Sequence, residues 1–362
     1  MDDFQTNGFE KQEITVTEPI GFKFKGSGSE YFRIWIVNLL LSILTLGIYS
    51  AWAKVRRNQY FYSSTQLAGS SFEYHGNPIA ILKGRVVAFV FVCAYQLAFK
   101  HAVSTGILML LILGAVMPWL VWKSLQFKLY NSSYRGIRFG FRGTAKQAYI
   151  TYLLWPILTM ITAYLLAPFF HQRMKKFQHN ESRFGTTHFS FDAKVSQFYL
   201  SYLIGFAIML AGVVAICLTF GGTMFAVIAT RHNKHVDVGP ETIMPIFGFI
   251  FALYLWLFAV YPIFLTLLQN LIWNHTKLGA HQFHSNLHWG RMTFIALTNV
   301  LGIVCTLGLF VPFAHIRSLR YRVESMQLSV CGNLDNFIAD TEVQVAATGE
   351  GMADLLDFDL SL

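Results

Sequence analysis

Six long stretches of the chain carry no acidic or basic side chain. They are Ile34 to Ala53, Ala102 to Trp122, Ala148 to Phe170, Val195 to Thr230, Thr242 to Asn274 and Met292 to Ala314. A shorter one, Val86 to Phe99, is parted from the second only by Lys100 and His101. A helix needs about 20 apolar residues to cross the hydrocarbon layer of a bilayer. Buried core helices of a soluble protein are the alternative, but only 13% of the residues are charged, about half the soluble norm. The expectation is an all-α, multi-pass membrane protein of about seven hydrophobic spans.

Charge is placed unevenly along the chain. Residues 21–322 hold 27 Lys and Arg against six acids, whereas the segment before them carries five acids and one lysine. Beyond Arg322 there are eight acids and no Lys or Arg. This divides the chain into an exposed N-terminal tail (1–20), a membrane domain (21–330) and an acidic, mostly disordered C-terminal tail (331–362). The N-terminal tail lacks the apolar core of a cleavable signal peptide. The basic residues stand just outside the apolar stretches. They are expected to meet anionic lipid headgroups rather than nucleic acid.

Within 21–330 the pattern recurs as about five pseudo-repeat units. Phe-x-Phe with a small residue after it appears at Phe22-Lys23-Phe24, Phe72-Glu73-Tyr74, Phe139-Gly140-Phe141 and Phe189-Ser190-Phe191, with a degenerate copy from Phe283. Asn-x-Ser/Thr-x-x-Gly precedes three of them, at Asn131 to Gly136, Asn180 to Gly185 and Asn274 to Gly279. Asn and Gly there are expected to supply the positive φ of tight reversals. Their alternating flanks predict short amphipathic β-hairpins at the membrane interface. Upstream of each lies Ala51, Pro118, Pro168, Pro262 or Pro312, and then, in four of the five, a basic, aromatic helix. The first and last units correspond at one constant offset, which pairs Asn38 with Asn299, Thr45 with Thr306 and Tyr60 with Tyr321.

Phe-x-Phe-x-Gly-x-Gly-x-Glu-Tyr-Phe at 22–32, with Thr-Leu-Gly-Ile-Tyr-x-x-Trp-Ala-Lys-Val-Arg at 45–56, resembles the YjgN-like family. The resemblance covers most of residues 20–330. It implies a multi-pass protein of the bacterial inner membrane and no activity, cofactor or catalytic residue.

Orientation raises a difficulty. Loops 53–85, 123–146 and 171–197 and the segment 314–322 are all basic, so all belong on the cytoplasmic side. Residues 147–170, however, are long enough for only one crossing between two of them. Either that segment is re-entrant, bending at Pro156, or one of the basic loops lies outside; residues 34–52 pose the same choice, with a break at Gly47.

No catalytic, cofactor-binding or metal site is expected. Asn38, Gln96, Thr159 and Asn299 are the polar residues of interest in the spans, and hydrogen bonding between helices is the simplest role for them. His275, His281, His284 and His288, with His232 and His235 before them, lack a nearby acid or cysteine to complete a metal site. Lys25-Gly26-Ser27-Gly28-Ser29-Glu30 reads as a helix cap rather than a phosphate loop. Cys93, Cys217, Cys305 and Cys331 have no redox or metal-ligand spacing. The expected function is a non-catalytic membrane scaffold or lipid-interaction protein. The alternative is a permease or channel for a small solute, and a lipid-modifying enzyme comes third.

Overall fold

The computed structural model describes residues 19–233, 240–332, 334–335, 337–339 and 341. Its strands are β1 (Ile20–Gly21), β2 (Lys23–Phe24), β3 (Thr65–Leu67), β4 (Ser70–Tyr74), β5 (Ser132–Tyr134), β6 (Ile137–Phe141), β7 (Ser182–Phe184), β8 (Thr187–Phe191), β9 (Thr276–Leu278), β10 (His281–Ser285) and β11 (Met326–Ser329). They form one antiparallel sheet in the order β1-β11-β10-β9-β8-β7-β6-β5-β4-β3-β2. Its two ends, β1 and β2, are halves of a single extended segment parted at Phe22, whose N–H donates to the Met326 carbonyl at 3.0 Å. The sheet therefore almost closes on itself, which removes the exposed edges an open sheet would carry.

Tight turns join the strands in pairs. Gly136, Gly185 and Gly279 take positive φ there (80°, 54° and 56°). The asparagines do not. Asn131 has φ −85° and ends a helix. Asn180 and Asn274 accept through Oδ1 from the N–H of Phe191 (2.8 Å) and Ser285 (2.6 Å), pinning helix end to strand.

Helical pairs connect the strands. The first is α1 (Gly28–Leu44) with α2 (Ser50–Ser64), and the second α3 (Pro78–His101) with α4 (Val103–Tyr130). The third is α5 (Ala145–Tyr149), a π-helical turn (Ile150–Leu154) and α6 (Trp155–Ile161), returning as α7 (Ala167–Asn180). The fourth is α8 (Val195–Asn233) with α9 (Pro240–Asn274), and the last α10 (Trp289–Cys305) with α11 (Val311–Glu324). Neighbouring pairs pack through α2 on α3, α4 on α5, α7 on α8, α9 on α10 and α11 on α1, which closes a ring of helices over one end of the sheet.

This corrects the expectation of an all-α protein with about seven spans. Four helices are long and apolar enough to cross a membrane: Pro78–His101, Val103–Tyr130, Val195–Gly222 and Met244–Asn274. The other three apolar stretches fold back as short hairpins. Their chain reverses at Leu46-Gly47, Ala163-Tyr164 and Leu307-Gly308, all with positive φ. The reversal in the third pair is therefore at Ala163, not Pro156. Pro168 and Pro312 open the returning helices in the first turn, where a missing N–H costs nothing. Pro118 and Pro262 lie inside the longer α4 and α9.

Candidate functional site

The interior of the sheet is lined by one side chain from each of β3 to β10, by Met326 and Leu328 of β11, and by Phe22 between β1 and β2. The register places Phe72 opposite Tyr134, Phe139 opposite Phe184, Phe189 opposite Leu278 and Phe283 opposite Leu328. Lys23 faces Gln66, and one step along this register Phe22 meets Leu67. The phenylalanines contact one another around a complete circuit. Centroid distances are 6.3 Å for Phe22–Phe72, 6.4 Å for Phe72–Phe139, 6.4 Å for Phe139–Phe189, 6.1 Å for Phe189–Phe283 and 6.4 Å for Phe283–Phe22. They enclose an apolar cavity of about 200 Å³. Leu334, Phe337 and Ile338 cover its outer mouth, with the Phe337 ring 4.4 Å from that of His281. Arg135 Nη1 donates to Asp335 Oδ1 at 2.5 Å beside them.

At the opposite end of the molecule stand the three short reversals. Each is closed by one threonine. Thr45 Oγ1 donates to the Leu41 carbonyl (2.7 Å) and accepts from Tyr49 N–H (2.9 Å). Thr306 repeats this with Gly302 (2.7 Å) and Phe310 (2.9 Å). Thr162 does so with Leu158 (2.9 Å) and Leu166 (3.4 Å). A longer backbone bond crosses each tip, from Gly47 to Ser42 (2.7 Å), Tyr164 to Thr159 (2.8 Å) and Gly308 to Ile303 (2.8 Å). Polar backbone is thus satisfied internally while Leu46 and Leu307 stand 95% and 96% exposed. Internal satisfaction is what irregular backbone requires in lipid, where water is absent.

The returning helices carry cations. α2 holds Lys54 and Arg57, α4 Lys128, α7 Lys175 and α11 Arg322. The charge of Lys128 reaches both Lys54 and Lys175, and those of Arg57 and Arg322 both reach His315 on α11. α3 and α5 stand between α2, α4 and α7 in the ring, so these side chains meet on its inner side, where Lys175 is half-buried and Lys54, Arg57, Lys128 and Arg322 remain exposed. Burial, then the cations Arg85, Arg57 and Lys128, hold Lys54 below the usual lysine range. Burial and Lys128 do the same to Lys175, and burial lowers Arg322. Arg322 Nε donates to Gln269 Oε1 at 2.6 Å, and Lys175 Nζ to Gln178 Oε1 at 3.2 Å. Four carboxylates are engaged elsewhere: Glu30 by Tyr60, Glu73 by Ser133, Glu181 by Gln147 and Asp192 by Lys277. Among the described residues no ion pair joins a carboxylate to any of these five cations.

The residues singled out from sequence are dispersed. Asn299 donates to the Ala314 carbonyl (3.1 Å) and accepts from Arg317 Nη1 (2.9 Å), tying α10 to α11. Asn38 is buried with Oδ1 unpartnered. Thr159 bonds its own helix at Trp155, 2.8 Å away. Gln96 lies in the C-terminal part of α3. His281 is buried and accepts from Cys331 N–H (3.1 Å), and His275 faces Gln197 at 3.0 Å. Among the described residues no three His, Cys, Asp or Glu side chains converge. The His232 side chain and His235 lie outside the described residues. Ser27 caps α1 through Glu30 N–H at 3.2 Å, and Tyr60 Oη bridges Ser27 and Glu30. The five inner cations form no motif in sequence and are brought together only by the fold.

Two curated relatives share part of this chain. The inner membrane protein YjgN of Salmonella typhimurium is 30% identical over 144 residues, 40% of this chain and 36% of that protein. Its Escherichia coli K12 counterpart is 32% identical over 146 residues, 39% and 35% respectively. The matched region spans about a third of the length of these relatives. No solved structure matches the chain. The model of a bacterial protein family of unknown function, DUF898, matches residues 19–355. With its four span-length apolar helices, the chain belongs to the DUF898 family and is a protein of the bacterial inner membrane.

Proposed function

We propose that this is a multi-pass, non-catalytic lipid-interaction protein, assembled from five copies of one element. The element is a helical hairpin followed by a strand hairpin, and its copies are arranged around the axis of the sheet. All helical pairs leave the sheet and return to it, so the sheet lies wholly on one side of the membrane. The basic residues of its turns and flanks, such as Arg138, Arg142, Lys146 and Lys194, favour the cytoplasmic side.

One observation supports the lipid reading above the others: the unequal depth of the hairpins. From Leu46 to Lys54, Tyr164 to Arg173 and Leu307 to Arg317, the returning helix has ten residues or fewer before its first Lys or Arg. Ten helical residues rise about 15 Å, half of a hydrocarbon layer about 30 Å thick. Three hairpins thus insert part-way while two pairs cross. A ring with such gaps opens sideways to lipid, whereas a solute channel needs a continuous wall. The aromatic circuit also closes the axis at the sheet, against a permanently open pore.

The test is reconstitution of the full chain in proteoliposomes, with mass spectrometry of lipid retained through purification. Tightly held lipid without solute flux is expected. Solute flux without retained lipid would replace this reading with a permease.

A further inference from the structure

The inner cations stand in an arrangement that helix electrostatics does not explain. Lys128, Lys175 and Arg322 lie in the C-terminal parts of α4, α7 and α11, where the helix dipole favours positive charge. Lys54 and Arg57 do not. They occupy the first half of α2, nearer its positive end. There Arg85 of α3 and Lys128 of the neighbouring hairpin both add to the positive charge around Lys54. Like charges brought together are destabilising even where, as for Lys54, Arg57, Lys128 and Arg322, the side chains stay exposed, and among the described residues no carboxylate pairs with them. The aromatic circuit and the side chains of Leu334, Phe337 and Ile338 close the axis on the sheet side. The cations are accessible from the helix side of the sheet, where Lys54, Arg57, Lys128 and Arg322 are exposed.

Resting on the lipid-interaction reading, we infer that the inner faces of α2, α4, α7 and α11 form a binding site for a phosphate-bearing ligand. The site is centred on Lys54, Arg57, Lys128 and Lys175, with Arg322 at its edge. Guanidinium groups match phosphate oxygens in pairs, and ammonium groups supply compact charge. The ligand is the headgroup of an anionic phospholipid or a free phosphate ester, since the two share this chemistry.

The test uses the full chain in neutral detergent, with K54Q/R57Q and K128Q/K175Q double variants and R138Q, an exposed cation on the sheet exterior, as control. Melting temperature is read with phosphatidylglycerol, with diacylglycerol as the chargeless lipid, and with inorganic phosphate alone. Phosphatidylglycerol is expected to raise the melting temperature of the wild type and R138Q. At least tenfold more of it should be needed for either double variant, with diacylglycerol inactive throughout. The same dependence with inorganic phosphate alone supports the site and assigns it to free phosphate. Equal responses of wild type and both double variants to every addition would overturn it. Without ligand, the double variants are expected to melt at or above the wild-type temperature, since repulsion has been removed. If they bind phosphatidylglycerol vesicles as the wild type does yet show no altered response, the site fails while the lipid-interaction reading stands. If the wild type itself fails to bind vesicles, that reading fails as well.

Discussion

Phe22 stacks on Phe283, with ring centroids 6.4 Å apart and planes 25° from parallel, although the two lie in the first extended segment and the penultimate strand of the sheet in chain order. This contact closes the aromatic circuit, and it exists because β11 pairs with β1 while β2 pairs with β3. The first strand segment and the last strand thus depend on each other, and no half of the circuit can form alone. Truncating Phe283, which is buried, to alanine is expected to cost about 3–5 kcal/mol, and Phe283→Leu less than about 1.5 kcal/mol. Thermal unfolding in detergent measures both. Equal melting of Phe283→Ala and wild type would show that the circuit contributes no stability.

Two glycines of one hairpin separate backbone conformation from space. A Cβ on Gly136 would meet nothing within 4 Å, but its φ is +80°; Gly140 has the same free space without positive φ. Gly136→Val is therefore expected to destabilise by at least about 1–2 kcal/mol, because an L side chain there must adopt a left-handed backbone. Gly140→Ala should leave the melting temperature within a degree or two. Matching losses in both variants would show that packing, not φ, governs this turn.

The threonine at each reversal offers a sharper probe of whether the tips lie in lipid. Thr306→Val keeps the shape but removes the hydroxyl that accepts from Phe310 N–H. The expected loss is about 1–3 kcal/mol, the cost of a polar group left without its partner away from water. Thr298 lies on the same hairpin and bonds only the carbonyls of its own helix and Arg317. Thr298→Val should cost less. The comparison is read from unfolding in lipid nanodiscs, and the reverse order would place the tip in water.

How much of this was legible in sequence differs from residue to residue. Gly47 and Gly308 mark their reversals because only glycine takes φ near +90° freely. The third reversal uses Ala163 and Tyr164, which carry no such mark, so Pro156 drew the bend instead. The Phe-x-Phe pattern lies on strands, yet closure of the sheet was hidden. β11 (Met-Gln-Leu-Ser) has no Phe-x-Phe, and pairing between chain ends leaves no local trace. The seven apolar stretches suggested seven spans because composition records hydrophobicity, not where the backbone turns. The inner cations were hidden for a related reason. In water the polar face of a helix is the outer one, but in lipid the outer face is apolar too. Periodicity alone therefore did not show that Lys54 and Lys128 look inward.

Sidedness follows from the way every helical pair starts and ends at the sheet. Arg138, His188 and Ala280 are exposed on three different strand pairs or their turns. In a background lacking the four native cysteines, single cysteines at these positions should all react with a membrane-impermeant thiol reagent only after the cytoplasmic side is opened. A cysteine at Leu46 should resist the reagent from either side, being in hydrocarbon. Labelling of His188→Cys from the outside while Arg138→Cys labels from within would mean that residues 147–170 cross the membrane, contrary to the turn at Ala163.

Acid should weaken the fold through His179. Its ring lies between Phe191 and Trp273, with centroids 5.4 Å and 5.7 Å away, and Nδ1 is 3.3 Å from Thr276 Oγ1. Burial first, then the charge of Lys175, lowers its pKa to about 4 from an unfolded value of 6.5. The unfolded chain therefore binds more protons between these two values, so stability rises with pH across that window and is lost as pH falls from about 6.5 to about 4. The full effect of one such histidine is on the order of 3 kcal/mol. His171, on the same helix, is depressed in the same direction, so His179→Gln should remove only part of the slope. The measurement is melting temperature at pH 7 and pH 4.5 for wild type and His179→Gln. A smaller drop in the variant is expected, because its amide does not gain a proton in this range. An identical drop in both proteins would mean that His179 is already protonated in the fold and that the aromatic pocket admits its charge.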